Sequence, residues 1–147
     1  MKNIIYSLIL LCPALSWAQD MISERQFTFE YKFDVVWNAA QIVLGAYPVE
    51  ANDQEEGVIR TRFLKKGEFW EPPFADPADD QYIQQITFKF IKAGPRVTEL
   101  RIRKEGRMIR DFLGSEKNVT TQPWEELRIV YKLKREIEIN NILKGLD

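Results

Sequence analysis

The chain has 147 residues, the size of one ordinary domain, and its 21 basic side chains nearly balance 22 acidic ones, which argues against a general nucleic-acid binder. It has no histidine and its only cysteine is Cys12, which excludes Ser–His and Cys–His nucleophiles and zinc sites built on imidazole or thiolate. Carboxylates, tyrosines and lysines remain as acid–base groups, but no pair is singled out by its spacing, so we expect a protein that is not an enzyme and holds no cofactor or metal.

The N-terminus has the pattern of a secretory signal. Lys2 gives a positive start, residues 4–11 are almost entirely apolar, and small residues precede a cleavage point after Ala18. The apolar run is shorter than the about 20 residues that a membrane-spanning helix needs. We therefore expect residues 1–18 to be a signal peptide and residues 19–147 to be a single exported domain located in the periplasm.

Cys12 offers a second interpretation of this segment, as a lipid-modified cysteine that anchors the protein to a membrane. Bacterial lipoproteins usually have glycine or alanine before that cysteine, whereas this chain has Leu11. The sequence favours cleavage after Ala18 over lipid anchoring at Cys12. Cleavage there would leave no cysteine and hence no disulfide, so the domain would be held together by its core.

The first predicted elements are a strand and a helix. Residues 19–25 are mostly polar and predict a frayed segment, while residues 26–33 alternate polar and aromatic side chains, which is typical of a strand. Asp34 is suited to cap a helix over residues 35–46, and Pro48 prevents that helix from continuing. The helix is apolar except for one narrow stripe, so we expect it to be largely covered.

An acidic stretch follows at residues 50–56. It has three possible interpretations: a metal loop, a catalytic acid pair or a solvated turn. Its carboxylates are Glu50, Asp53, Glu55 and Glu56. A calcium loop has glycine at its sixth position and glutamate at its twelfth, but counting from Asp53 places Gly57 fifth and Leu64 twelfth. The pattern therefore predicts a solvated turn, with a strand over residues 58–63.

Residues 65–80 predict a loop, because they contain three prolines and five acidic residues. The loop also carries three aromatic residues, Phe69, Trp70 and Phe74. Aromatic side chains in a loop suit a partner-binding surface. In the alternative interpretation the loop folds back and its rings cover the domain's own core.

Two strands and a final helix complete the prediction. Residues 86–91 and 97–104 alternate as strands around a turn at 93–95, and residues 105–106 predict a further turn or a bulge before the sheet continues over 107–112. A long helix follows, with Thr121 as its cap and Pro123 in its first turn. Its predicted apolar face consists of Leu127, Val130, Tyr131, Leu133 and Ile137.

These elements predict an α+β domain in the order β-α-β-β-β-α. An antiparallel sheet of four or five strands would carry both helices packed on one face and leave the other face open. A basic sheet face could gather there from Arg60, Arg62, Lys89, Arg101 and Arg103. Such a face would bind phosphates or an acidic partner, or it would simply be the charged, solvated side of the sheet that guards against aggregation.

The run WNAAQIVLGAYPVEANDQEEGVIRTRF, residues 37–63, resembles the BamC-like domains. The residues that carry the resemblance are Trp37, Pro48, Asp53, Gly57, Ile59 and Thr61. BamC-like domains are small Gram-negative envelope domains typified by an accessory lipoprotein of the outer-membrane β-barrel assembly machinery. The resemblance implies a non-catalytic, protein-binding role at the outer membrane.

Two functions follow as expectations. The first is a non-enzymatic periplasmic or outer-membrane-associated interaction module in envelope assembly, which binds an envelope protein through the aromatic loop or the basic sheet face, with peripheral membrane association and no nucleic acid. The second is a small-ligand or lipid-binding domain with a cavity between the sheet and the C-terminal helix. An apolar cavity would favour the second function, and a filled core with an exposed aromatic loop would favour the first.

Overall fold

The computed structural model describes residues 22–109 and 116–144, so the predicted signal peptide and Cys12 lie outside the described residues. The described residues form an α+β fold of one open antiparallel sheet and two helices, which confirms the predicted fold class. The strands are β1 (Ile22–Phe29), β2 (Val49–Asp53), β3 (Val58–Thr61), β4 (Leu64–Lys65), β5 (Tyr82–Gly94), β6 (Val97–Ile109) and β7 (Glu116–Val119), and the helices are α1 (Phe33–Leu44) and α2 (Trp124–Lys144).

The sheet has seven strands where four or five were expected. Its order is β1-β6-β5-β3-β2, with β4 also pairing β5 and β7 also pairing β6. The additional strands are short or lie at an edge, and most of their side chains are exposed. They bury no continuous apolar face, so they show no clear period-two alternation in the sequence.

The acidic stretch is a β-hairpin and only in part the solvated turn that was predicted. Glu50 and Asp53 lie in β2, which pairs antiparallel with β3, and the turn occupies residues 54–57. The Asp53 side chain accepts the backbone N–H of Glu56 at 2.9 Å, and Gly57 closes the turn with a positive φ of 66°. Asp53 therefore shapes the turn through an ordinary Asx-type contact.

The boundary between β1 and α1 lies earlier than predicted. β1 includes residues 22–25, which were expected to be frayed, because it pairs with β6 along its whole length from Ile22↔Glu105 to Phe29↔Thr98. Lys32 occupies the N-cap position of α1, so Asp34 lies in the first turn and is not the cap. Burial of Phe33, which stacks on Trp37 with 5.7 Å between ring centroids, favours the earlier helix start.

β5 and β6 form a long hairpin that is the centre of the sheet. β6 runs without interruption through residues 105–106, so the predicted turn or bulge there is wrong, while residues 110–112 of the predicted continuation lie outside the described residues. Gly106 pairs with Gln84 in regular register. The missing side chain makes room for neighbouring groups, as described below.

The core lies between the inner face of this hairpin and the two helices. Alternate residues of β5 and β6 are buried there, namely Ile86, Phe88, Phe90, Leu100 and Ile102. Trp37 of α1 meets Phe90 edge to face at 5.3 Å, and α2 contributes Ile129, Leu133 and Ile137. Among the described residues, no helix combines the length and the apolar character needed to cross a membrane.

The buried face of α2 differs from the predicted one. Leu127 and Tyr131 are 41% and 64% exposed, and Ile129 and Glu126 take buried positions instead. Burial at 126, 129, 130, 133 and 137 follows the spacing of three and four that one helix face requires. The helix begins at Trp124, directly after Pro123, and the Thr121 hydroxyl hydrogen-bonds with Ser23 Oγ at 3.1 Å.

Candidate functional site

A pocket of about 260 Å³ lies between the loop over residues 69–79, the strands β5 to β7 and the start of α2. Aromatic and apolar side chains form most of its lining, including Phe69, Trp70, Tyr82, Met108, Val119 and Trp124. The polar residues in the lining are Glu71, Asp76, Asp79, Gln84, Lys104, Thr120, Gln122 and Glu125. An apolar wall with a few converging polar groups is the common composition of a ligand site.

The loop that closes the pocket is held by its own hydrogen bonds. The Glu71 carboxylate accepts the N–H of Ala78 at 2.6 Å, and the Ala75 N–H donates to the Pro72 carbonyl at 3.0 Å. Three prolines within residues 72–77 further restrict the backbone. The loop over residues 69–79, called the arch below, is therefore held in one conformation over the sheet.

Two contacts tie the arch to the rest of the domain. The backbone N–H of Trp70 donates to Glu125 Oε2 of α2 at 3.2 Å, and the Phe69 ring meets Tyr82 of β5 edge to face at 5.8 Å. Phe69 is half-buried and packs against the core. These anchors fix the distance between the arch and the sheet, and so keep the pocket open.

The floor of the pocket depends on the glycine in β6. A Cβ atom at Gly106 would lie 2.6 Å from the Thr121 methyl carbon and 2.9 Å from Tyr82 Oη. The Tyr82 ring occupies the space that a side chain would need, and its hydroxyl donates to Gln84 Oε1 at 3.1 Å. Tyr82 thereby orients the Gln84 amide.

Gln84 carries a buried hydrogen-bond donor without a partner. The residue is only 3% exposed, and its Nε2 has no hydrogen-bond partner among the residues that the structure describes. Leaving a buried polar group unpaired costs about 1–3 kcal/mol. Buried donors are nearly always satisfied, so this exception distinguishes the pocket floor from the rest of the described interior.

A second hollow, of about 220 Å³ between α1 and β2, lacks this feature. Its lining includes Gln41 and Asn52, whose amides exchange two hydrogen bonds of 3.0 and 2.8 Å. Each amide there satisfies the other. The pocket beneath the arch is therefore the stronger candidate site.

Beside Gln84, a buried ion pair joins β6 to α2. Lys104 Nζ lies 2.5 Å from Glu126 Oε2 and also donates to the carbonyl of Gln122, and both charged side chains are at most 2% exposed. Ser23 Oγ donates to the other Glu126 oxygen at 3.4 Å. Burial lowers the pKa of Lys104, and the neighbouring Glu126 charge opposes that shift. The pair neutralises its own charge at the back of the pocket.

Glu125 is equally buried and is shared by three elements. It accepts hydrogen bonds from the Tyr47 hydroxyl and from the Trp70 N–H, and it lies 3.9 Å from the Arg128 guanidinium. Burial, and next the hydrogen bond to Glu125, raise the pKa of Tyr47 well above its ordinary value. Burial together with the charges of Glu126 and Glu71 does the same to the pKa of Tyr82.

These two phenols predict a pH dependence. Because the pKa of each is raised in the folded state, their contribution to stability is present below pH 10.0, the ordinary tyrosine value, and is lost as the pH rises above it. We expect phenolate absorbance at about 295 nm from Tyr47 and Tyr82 to appear only well above pH 10, together with unfolding followed by circular dichroism. Tyr82→Phe should reduce that late step, whereas an early, reversible step from Tyr82 in the folded protein would contradict the prediction.

The three predicted loop aromatics take different positions. Phe69 folds back onto the core, Trp70 is 37% exposed and lines the pocket beneath the Arg128 guanidinium at 5.2 Å, and Phe74 is 76% exposed. Phe74 leans edge to face on Trp124 with 5.6 Å between centroids. The loop thus covers core at one residue and presents an aromatic ring to solvent at another, and its role in partner binding stays a prediction.

Four of the five residues of the predicted basic sheet face lie together on one face of the sheet. Strand register places Arg60 and Arg103 opposite Thr87, and Lys89 opposite Arg101, on the face of the sheet away from the helices, while Arg62 lies just beyond β3. Acidic groups accompany most of them: Arg60–Glu50 at 3.6 Å, Arg62–Glu68 at 2.6 Å, Lys89–Glu56 at 4.0 Å and Arg101–Glu99 at 2.5 Å. The face therefore has mixed charge, and the binding of phosphates or an acidic partner there stays a prediction.

Gln84 and Lys104 were not among the predicted site residues. Each occupies an inward position of a strand, since Gln84 extends the buried series of Ile86 and Phe88, and Lys104 extends that of Leu100 and Ile102. A polar residue at the end of an apolar alternation is a signal that could have identified the pocket floor. Within the described residues, no group of three or more acidic, histidine or cysteine side chains is placed to hold a metal ion.

Comparison with known proteins adds no assignment. No protein-family model matches the chain, and a search of curated proteins finds no match. The resemblance to BamC-like domains therefore stays a prediction from residues 37–63.

Proposed function

We propose that the protein is a non-enzymatic binding domain whose pocket accepts a small ligand with an apolar body and a hydrogen-bond acceptor. The observation that carries this proposal is the unpaired Nε2 of Gln84 in the pocket floor. A ligand acceptor at that atom would replace the missing hydrogen bond and remove the cost of the buried donor.

The rest of the pocket supports the same ligand. The rings of Phe69, Trp70 and Trp124 can cover an apolar body, with Met108 and Val119 alongside. A volume of about 260 Å³ is close to the lower end of the range of about 300–1,000 Å³ for ligand pockets, so the ligand is small. The position of the pocket between the arch, the sheet and the start of α2 supports the expectation of a small-ligand-binding domain.

A neutral amide with a phenyl body, 3-phenylpropanamide, tests this function directly. We expect it to change the fluorescence of Trp70 and Trp124 saturably in the native protein, and Gln84→Met to weaken binding about tenfold, which corresponds to one lost hydrogen bond. Gln85→Met is the matched control, because Gln85 is the next residue of β5 and its amide bonds to Glu50 and to the Thr61 carbonyl.

Equal binding by native protein, Gln84→Met and Gln85→Met would overturn the assignment of Gln84, and no saturable change in the native protein would overturn the proposed function. A thermal melt of each variant shows whether it is folded before binding is compared.

A second candidate function is the envelope interaction module expected from the sequence. It is favoured by one observation, the exposed Phe74 ring resting on Trp124, whose own indole is 37% exposed. Leu127 and Tyr131 continue this apolar surface along α2. Export to the periplasm, an envelope protein partner, peripheral membrane association and BamC-like membership belong to this proposal.

A further inference from the structure

The charged residues of the pocket are separated by depth. Gln84 and Lys104 are buried at its floor, whereas Asp76 and Asp79 are exposed and Glu71 is half-buried on the arch. Exposure of a lining residue marks the mouth of the pocket. The mouth therefore carries carboxylates. The floor carries the Gln84 amide donor beside the Lys104–Glu126 ion pair.

The acidic side chains of the segment 65–80 fall into two groups, those that line the pocket and those that do not. Glu68 and Asp80, which do not line the pocket, form ion pairs with Arg62 at 2.6 Å and Lys66 at 2.8 Å. The acidic residues of the arch that do line it, Glu71, Asp76 and Asp79, form no ion pair with any residue that the structure describes. Glu71 accepts a hydrogen bond from the backbone N–H of Ala78, and Asp79 accepts one from the backbone N–H of Gln81. Lys66, the cation paired with Asp80, also interacts electrostatically with Glu71 and Asp79. Among the described residues, these four carboxylate-bearing and cationic groups together with Asp76 leave the mouth with net negative charge.

The only basic residue in the described lining is Lys104, and Glu126 already balances it. Glu125 is likewise occupied by Tyr47, Trp70 and Arg128. A carboxylate or phosphate on a ligand would enter past the net negative charge of the mouth, which is unfavourable. Fatty acids and anionic lipids are therefore poor candidates for this pocket.

We infer that the ligand is a small organic cation, with an acceptor that reaches the Gln84 amide and a protonated amine that stays near Glu71, Asp76 and Asp79. This inference rests on the proposed function and adds the ligand's charge to it. The aromatic lining fits the same class, since the faces of Phe69, Tyr82 and Trp124 attract cations. An amine-bearing amide has both groups on one small skeleton.

Four probes with the same phenylethyl body test separately the need for a protonated amine and the need for a hydrogen-bond acceptor. Phenylalaninamide has the amine and the amide, 3-phenylpropanamide has only the amide, phenethylamine has only the amine, and 3-phenylpropanoate has a carboxylate. We expect phenylalaninamide, at a pH where its amine is protonated, to bind about five- to tenfold more tightly than 3-phenylpropanamide. Added salt should reduce this preference, because the mouth is exposed. The carboxylate should bind most weakly.

Asp76→Asn with Asp79→Asn is the variant that tests the source of the preference. It should bring phenylalaninamide and 3-phenylpropanamide to nearly equal affinity, because phenylalaninamide loses its ionic attraction to the mouth. Glu55→Gln is the charge control, because Glu55 is exposed in the turn between β2 and β3 and does not line the pocket. It should retain the full preference for the amine.

The outcomes distinguish this inference from the function on which it rests. The inference of a cationic ligand would be wrong if the native protein bound phenylalaninamide and 3-phenylpropanamide equally, or bound the carboxylate more tightly. The proposed ligand-binding pocket would then still stand. A preference that persists in the Asp76→Asn, Asp79→Asn variant would also overturn the inference of a cationic ligand. Failure of all four probes to bind the native protein would overturn both proposals.

Discussion

Lys104→Met should lower the free energy of unfolding by about 3–5 kcal/mol, because it leaves the Glu126 carboxylate buried without its cation. Among the described residues, Glu126 would keep only the long hydrogen bond from Ser23, at 3.4 Å. Methionine has nearly the volume of the lysine stem, so the loss is mainly electrostatic. Urea unfolding followed by circular dichroism measures the change.

The double variant Lys104→Met with Glu126→Leu isolates the ion pair. Removing both charges should recover most of the lost stability, since a buried pair is often replaced by apolar residues at little cost. The exposed pair Lys89–Glu56, at 4.0 Å, is the control, and Lys89→Met should change stability by less than about 1 kcal/mol. A Lys104→Met variant as stable as native protein would show that Glu126 does not depend on this lysine.

Gly57→Ala should destabilise the protein by about 2–5 kcal/mol, the sum of a strained left-handed backbone and a steric overlap. Gly57 has a φ of 66°, and a Cβ atom there would lie 2.3 Å from the Phe90 carbonyl oxygen. The clash falls on backbone that cannot rotate away, because the Phe90 N–H donates to the Gly57 carbonyl at 2.7 Å. The change would force β3 away from β5.

Gly67→Ala separates the two contributions, since Gly67 has a φ of 86° but a Cβ there would meet nothing within 4 Å. It should cost only the conformational part, about 1–2 kcal/mol. The difference between the two midpoints of urea unfolding then reports the overlap at Phe90. Equal losses in the two variants would mean that the hairpin accommodates the added methyl group.

The sequence predicted the elements whose side chains alternate or repeat. The aromatic alternation of β1, the paired runs of β5 and β6, and both helices follow from the burial of one face, which leaves a period of two or of three to four residues in the chain. β2 and β7 were missed because they are mostly exposed, so that hydrogen bonding to a neighbouring strand alone defines them. Strand pairing of this kind is not visible in composition.

The pocket could be predicted less well than the fold. A cavity between the sheet and the C-terminal helix was one of two expectations, but its residues come from positions as far apart as Phe69 and Glu125. Their meeting depends on a backbone hydrogen bond from Trp70 to Glu125 and on the space left by Gly106, neither of which has a local pattern. Phe69 and Trp70 were expected as site residues of the loop, and Gln84 and Lys104 are recognisable as polar residues at inward strand positions.

The β5–β6 hairpin has a consequence for how this protein can be redesigned. The same two strands carry the core at Phe88 and Ile102 and the pocket floor at Gln84 and Lys104, so the floor is as rigid as the core itself. The arch contributes the opposite wall from a surface segment that contains no core strand. Ligand preference can therefore be altered by substituting residues 75–79, which leaves the hairpin that determines stability untouched.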